Sequence, residues 1–439
     1  MNLLNAVARF NANSDRANLN CNRNPSNSND GLGITCFPLE ALKMKRHKSL
    51  YSKLCSDENL FLAYSRARRG KSRKQSVIEF DKNIEENLQE LKEELVSLSY
   101  EPKNLKRFIV RDPKTRVIHA SAFRDRIVHH AIVNLLEPIY EKIFICDSYA
   151  SRKNKGTHTA IGRLDKFKQQ VSQNGLIVND KNPYLNKNSV QGYFFKADIY
   201  HYFDSVDHEI LIGILEKKIK DEKLIILIRK VLLNFNSAIT GKSMPLGNYT
   251  SQFFANVYLN ELDYFVKHEL KAKFYIRYVD DFIILHRSKN RLEFLKNKID
   301  LFLRIKLGLK LHPEKSDIFS LQKGIAFLGY KTFYKYKILR KRNRKYFCRK
   351  LDTILINYKE GNIDEEKVIS QLQGWVGYAR WANTFLLRKK IIFKTQNLFL
   401  SNGYRSTKEL DKLRTEQPTS ISSLLTPPTP PREGERIRR

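Results

Sequence analysis

The chain has 439 residues, 41% of them hydrophobic and 11% aromatic, enough for about two or three domains and a large core. It carries 80 Lys and Arg against 46 Asp and Glu, a net charge of +34 that repels itself in the compact state unless a polyanion is bound. Tyr and Phe are interleaved with the basic residues, a mixture that stacks on bases while neutralising phosphates, and no apolar run approaches a membrane span, so nucleic acid is favoured over membrane.

Asn fills ten of the first thirty positions. It favours turns and competes with regular hydrogen bonding, so residues 1–36 read as a disordered leader. Residues 37–100 read as helical, with Phe80, Ile84, Leu88, Leu91, Leu95 and Leu98 on one helical face. Residues 104–123 read as a hairpin turning at Asp112-Pro113-Lys114, and "RDRIVHHAIVNLLEPIYEKIF" resumes a helical period. "GYFFKADIYHYFDSVDHEIL" is a strand running into a helix, and "GNYTSQFFANVYLNELDYFVKHEL" a loop and then a helix. The hairpin "FYIRYVDDFIILH" and the helix "RLEFLKNKIDLFLRIKLG" follow. "IAFLGYKTFYKYKILRKRNRKYFCRK" passes from strand to basic helix, residues 350–400 read as helical, and 406–439 as a disordered Pro/Ser/Thr-rich basic tail. Strands interleaved with helices make an α+β fold.

Cys21, Cys36, Cys55, Cys146 and Cys348 are scattered, with no zinc spacing. They read as free thiols in a reducing cytoplasm, and the N-terminus has no signal-peptide pattern.

The chemistry centres on Tyr278-Val279-Asp280-Asp281. Neighbouring residues of a strand face opposite sides, so a half-buried strand does not keep two adjacent carboxylates without cause. A polar turn is one explanation. A divalent cation is the other, since Mg²⁺ takes oxygen ligands, and a two-metal site needs a further acid from another element. Asp198, ending the apolar run "YFFKA", is that acid. Asp207 reads as a helix N-terminal acid and Asp204 as a cap or salt-bridge partner.

Together with "KADIYHYFDSVDH" upstream, "YVDD" resembles motifs A and C of reverse transcriptases. The order "KTRVIHASAFRDRIVHHAI", "DSYASRKNKGTHTAI", the Asp198 strand, "MPLGNYTSQFFANVYLNELD", "YVDD", "LKLHPEKS" and "AFLGY" extends the resemblance over roughly residues 45–400. It implies a right-hand polymerase: N-terminal helices and fingers over 37–190, a palm with an antiparallel sheet over 191–335, and a helical thumb over 336–405. It makes Asp198, Asp280 and Asp281 the catalytic, metal-binding triad for two Mg²⁺ ions, with Mn²⁺ as a substitute. Phe203 falls where the family keeps an aromatic that clashes with a ribose 2′-hydroxyl, although it also suits an ordinary core position. Lys315 matches a proton donor to pyrophosphate or a solvated lysine. Arg116 and Arg126 match triphosphate contacts or general template contacts. Arg152, Lys153, Tyr278, Arg340, Lys341 and Arg342 are expected RNA or DNA contacts.

Within the family, Leu246 replaces a common Gln before Gly247, and Ser251-Gln252 follows. This pattern is similar to diversity-generating retroelement reverse transcriptases. Leu246, Gly247, Ser251 and Gln252 are then nucleotide-binding, with looser control of the nascent pair. The resemblance implies dNTPs, a primer or cDNA strand, a template-repeat RNA copied with adenine mutagenesis for mutagenic retrohoming, and a small basic accessory variability protein. It implies a bacterial or phage-encoded cytoplasmic enzyme. The Asn-rich leader is either a translated template repeat or a generic leader. "QLQGWVGYARWANTFLLRKKI" resembles the subfamily's thumb, with Trp375 and Trp381 between thumb helices. A group II intron-type enzyme, an antiviral defence reverse transcriptase and a non-catalytic RNA-binding scaffold are the rivals.

Overall fold

The computed structural model describes residues 46–111, 115–176, 190–235 and 240–401. The Asn-rich leader, the expected turn at 112–114 and the C-terminal tail lie outside the described residues.

The first elements among the described residues are four helices: α1 Leu50–Leu54, α2 Asp57–Arg68, α3 Gln75–Lys82 and α4 Ile84–Val96. Ser56 starts α2 by accepting the Asn59 N–H. The single apolar face expected from Phe80 to Leu98 is broken at Asn83, which stands at φ −132°, ψ 58° between α3 and α4. Leu91 and Leu95 are buried as expected, but Leu98 lies beyond α4 at positive φ and is exposed. Periodicity carries across such a break because two packed helices can present their apolar sides to one core.

Next come β1 Lys106–Val110 and β2 Arg116–Ala120, an antiparallel hairpin in which Val110 faces Arg116. The long helix α5 Phe123–Tyr140 and then α6 Thr157–Val171 follow. The centre of the chain supplies β3 Tyr193–Ala197, the short α7 Tyr202–Ser205, α8 His208–Glu216, α9 Glu222–Leu233 and α10 Tyr249–Tyr264, which runs on into a π-helical turn at Phe265–Glu269. Asp207 caps α8 by accepting the Glu209 and Ile210 N–H groups, and Asp204 pairs with His201, as their positions predict. Then follow β4 Phe274–Tyr278, β5 Asp281–His286, α11 Lys289–Leu307 and β6 Asp317–Ser320.

Strands β4, β5, β3 and β6 form, in that order, one antiparallel sheet. Both faces are buried, and strand alternation divides its side chains between two cores. Phe195, Tyr275, Phe282 and Ile284 join the core built with α5, α8, α9, α10 and α11. Phe194, Ile276, Ile283 and Leu285 join the core with α6 and the C-terminal helices.

A three-stranded sheet, β7 Ile325–Phe327, β8 Tyr330–Thr332 and β9 Lys337–Leu339, leads to α12 Lys341–Lys359, α13 Glu365–Ala379 and α14 Phe385–Ser401. This small sheet crosses the boundary expected at 335, because β9 pairs with β8. Trp375 packs between helices as expected, its ring 4.1 Å from Phe347 on α12. Trp381 does not: it stacks at 4.3 Å on His158, at the start of α6. No helix among the described residues is long and apolar enough to cross a membrane. Cys55 and Cys348 are free thiols.

Candidate active site

Tyr278 pairs with Asp281 across the β4–β5 hairpin, which leaves Val279 and Asp280 as a two-residue turn. Val279 stands at φ +55°, a costly conformation for a β-branched residue and of the kind that clusters at functional sites. On the far side of β5, Ala197 of β3 faces Phe282, so Asp198 emerges from the sheet beside the turn.

Three carboxylates from two strands thus share one end of the sheet. Burial, and then the negative charge of Asp198, push the Asp280 carboxyl up to about 6, against the pull of the Arg116 guanidinium. Burial also pushes Asp281 up to about 6, with Asp198 and Asp280 adding to it and Lys196 opposing it. Two cations stand among the acids. Lys315 Nζ lies 3.2 Å from Asp198 Oδ2. Lys196 Nζ lies 3.3 Å from Asp281 Oδ2 and donates to the Ala326 carbonyl at 2.7 Å. The turn that carries Lys315 hangs on the backbone of Asp198, whose carbonyl accepts from His312 N–H at 2.7 Å and from Ser316 Oγ at 3.1 Å.

Among the described residues, no three His, Cys, Asp or Glu side chains converge closely enough to hold a metal ion. The negative charge of Asp198 reaches Asp280, while Asp281 turns one oxygen to Lys196 and leaves its buried Oδ1 without a hydrogen-bond partner. An all-oxygen set with mutual repulsion and an orphaned buried oxygen fits a hard divalent cation. Asp198 and Asp280 are the residues that fit it best.

The β1–β2 hairpin approaches the loop before α10. The Leu246 carbonyl accepts the His119 N–H at 3.3 Å, and a Cβ on Gly247, which stands at φ +120°, would lie 2.9 Å from the Ile118 side chain. Only glycine lets the loop come this close. Behind it runs a buried chain of hydrogen bonds. Ser121 Oγ donates to Asn248 Oδ1 at 2.7 Å and meets His129 Nε2 at 3.1 Å, and His129 Nδ1 meets Thr250 Oγ1 at 2.6 Å. Burial pushes His129 down to about 3, so its ring is neutral.

Other expected contacts divide clearly. Phe203 is partly buried against the core, edge-on to Tyr202, and its carbonyl accepts the Met244 N–H. Ser251 is buried, and Gln252 accepts a hydrogen bond from Ser151. Arg126 donates to the Ser121 carbonyl, and burial lowers its pKa. Arg152 is engaged within the protein: its side chain is buried, forks onto Glu141 and donates to the Ile145 and Ser148 carbonyls. A basic residue in a linker reads as a phosphate ligand only while its counterion is unseen. Lys153 is exposed, Tyr278 is partly buried, and Arg340, Lys341 and Arg342 are exposed at the start of α12.

Sequence reasoning passed over Lys196, His129 and a fully buried ion pair, Arg277 with Asp263. The signal for the last was present: Arg277 lies inside the apolar "FYIRYVDD", where a charge requires a buried partner.

The family profile for reverse transcriptase (RNA-dependent DNA polymerase) matches residues 105–332, just over half of the chain. The chain is 26% identical over 317 residues to the group II intron-encoded protein LtrA of Lactococcus lactis subsp. cremoris, covering 56% of this chain and 49% of that protein. It is 26% identical over 309 residues to protein YkfC of Escherichia coli, covering 61% of this chain and 75% of that one. The chain thus spans about half the length of the first of these relatives. A telomerase structure from Candida albicans, solved with a fragment of telomeric RNA, aligns with a TM-score of 0.43 at 10% identity, covering 72% of this chain and 61% of that one.

Proposed function

Because the chain belongs to the reverse transcriptase family, we propose that it is an RNA-directed DNA polymerase that extends a primer with dNTPs along an RNA template. The observation that carries this is the strand register that brings Asp198 and Asp280 to one end of the sheet, beside the strained turn. Asp198 and Asp280 would hold Mg²⁺, or Mn²⁺ in its place, with the free Oδ1 of Asp281 beside them. A cation held by these residues would supply Lewis-acid activation of the primer 3′-hydroxyl and charge compensation for the triphosphate. Arg116, close enough to pull on Asp280, is placed to take a phosphate. Lys315 can pass a proton to the leaving pyrophosphate once freed from Asp198. Phe203 is the gate against a 2′-hydroxyl. The hand has fingers from the N-terminal helices and the β1–β2 hairpin, a palm around the four-stranded sheet and a thumb of α12–α14.

The finer reading is mutagenic copying of a template-repeat RNA in a diversity-generating retroelement, with a small basic accessory protein. Leu246 supports it, since an apolar side chain at the loop offers the nascent pair no hydrogen bond. The intron-encoded relatives favour a second reading, an enzyme that serves a group II intron.

The test is Mg²⁺-dependent primer extension on an adenine-containing RNA, followed by product sequencing. Extension that Asp280→Ala abolishes while RNA binding survives supports the polymerase. Binding without extension by the wild type makes it a scaffold. Faithful copying opposite adenine, with the cognate RNA and accessory protein present, removes the mutagenic reading.

A further inference from the structure

Arg277 on β4 and Asp263 on α10 are both fully buried. The contact is a fork: Arg277 Nε donates to Asp263 Oδ1 at 2.7 Å, and an Nη2 hydrogen to Oδ2 at 2.6 Å. The Tyr275 hydroxyl donates to the same Oδ1 at 2.7 Å. The remaining guanidinium nitrogen, Nη1, donates to Asn256 Oδ1 at 3.2 Å and to the carbonyl of Val279 at 3.0 Å. Asn256 in turn donates to the Ala150 carbonyl at 2.8 Å.

A buried ion pair is weak evidence of stabilisation, because well-packed apolar residues in its place are often as stable. What an apolar pair cannot do is donate to Val279. That residue is held in a left-handed conformation, and it directly precedes Asp280. The backbone of Arg277 is fixed as well: its N–H donates to the Asp147 carbonyl, and its own carbonyl accepts the Tyr149 N–H, each at 3.0 Å. Its side chain is thus a short rigid strut from helix α10 to the turn. The same helix begins at the Leu246–Gly247 loop, so one element is linked to both.

We propose that Arg277 is a positioning residue for the reaction: its guanidinium, oriented by Asp263 and Asn256, holds the Val279–Asp280 turn in the geometry that presents Asp280. This rests on the polymerase reading of the site.

The test uses the full chain and two variants. Arg277→Lys keeps a positive charge opposite Asp263 but loses the fork. The triple change Arg277→Met, Asp263→Leu and Tyr275→Phe removes the ion pair and the tyrosine hydroxyl bound to it together, which leaves no charge of that pair unpaired. Primer-extension kcat, KM for dNTP, RNA affinity and melting temperature are measured for each. We expect kcat to fall about 10–100-fold in both, with KM and RNA affinity within about threefold of wild type and folding retained in at least one. The Mg²⁺ concentration for half-maximal rate should rise. Wild-type kcat in either folded variant overturns the inference, as does a kcat loss that only follows the melting temperature. If neither variant folds, the pair is structural and the inference also fails. A wild type that extends no primer overturns the polymerase reading and this inference with it. An active wild type with equally active variants overturns this inference alone.

Discussion

Two buried polar networks lie behind the site, one charged and one neutral. Behind the carboxylate turn stands the Arg277–Asp263 pair, ionised and bidentate. Behind the Leu246 loop stand Ser121, His129, Asn248 and Thr250, all neutral. The strained turn is held by a donor with a full charge and fixed fork geometry. The loop is held by hydroxyls and an imidazole, whose bonds are individually weaker and can rotate. On the proposed reading the turn presents catalytic acids, which tolerate little displacement, whereas the loop meets substrate and gains from some adaptability.

The two regions also respond to protons in opposite directions. Asp280 and Asp281 titrate near 6 in the folded chain, above an ordinary carboxylate, so between about pH 4 and 6 the folded state holds more protons than the unfolded one. Their contribution to stability therefore falls as pH rises through that window. His129 is pushed down to about 3 and neighbouring His130 to about 4, both by burial first. Between those values and about 6.5 the unfolded state binds more protons, so this contribution is lost as pH falls.

The comparison breaks most sharply at the turn. Asp280→Asn should cut primer extension by about 10²–10³-fold while RNA affinity stays level in a filter-binding assay. If activity survives, the charged region is not the catalytic one. Next, His129→Leu should cost about 2–3 kcal/mol by denaturant melt, since it strands Thr250 and takes one of two partners from Ser121, and should flatten the loss of stability between pH 6.5 and 4. An unchanged pH slope would mean that the buried imidazole does not set it. Third, without divalent cation, Asp280→Asn should be more stable than wild type at pH 7.5 by about 2 kcal/mol, and the gain should vanish near pH 4. Added Mg²⁺ should stabilise wild type more than the variant. The smallest effect belongs to the loop: Gly247→Ala, placed against Ile118, should cost about 1–2 kcal/mol and chiefly raise KM for dNTP.

Much of this was legible because acids in apolar runs are costly. Asp198, Asp280 and Asp281 are conspicuous for that reason, and the hairpin around them follows from two-residue alternation. What stayed hidden depends on partners distant in sequence. Arg277 finds Asp263 fourteen residues back across a helix-to-strand connection. His129 finds Thr250 more than a hundred residues away, from within an apolar helix where it looks like filler. The Arg152 ion pair stayed hidden because its counterion, Glu141, sits at the end of the preceding helical segment. The burial of Ser251 stayed hidden because a motif does not say which side of α10 faces the core. Asn83 shows the limit of periodicity, which survives a break that only backbone angles reveal.

The segment that pairs with Arg277 has a further consequence. Strand β4 is an edge of the four-stranded sheet, yet Ser148 forms a parallel bridge to Arg277 there, with hydrogen bonds on both sides of it. An uncovered edge invites another chain to add a strand, and a one-residue slip would send every hairpin side chain to the opposite face. With residues 147–149 occupying part of that edge, the hairpin is guarded against both strand exchange and loss of register. The few residues of "DSY" thereby protect the alignment of Asp280 from aggregation as well as from misfolding.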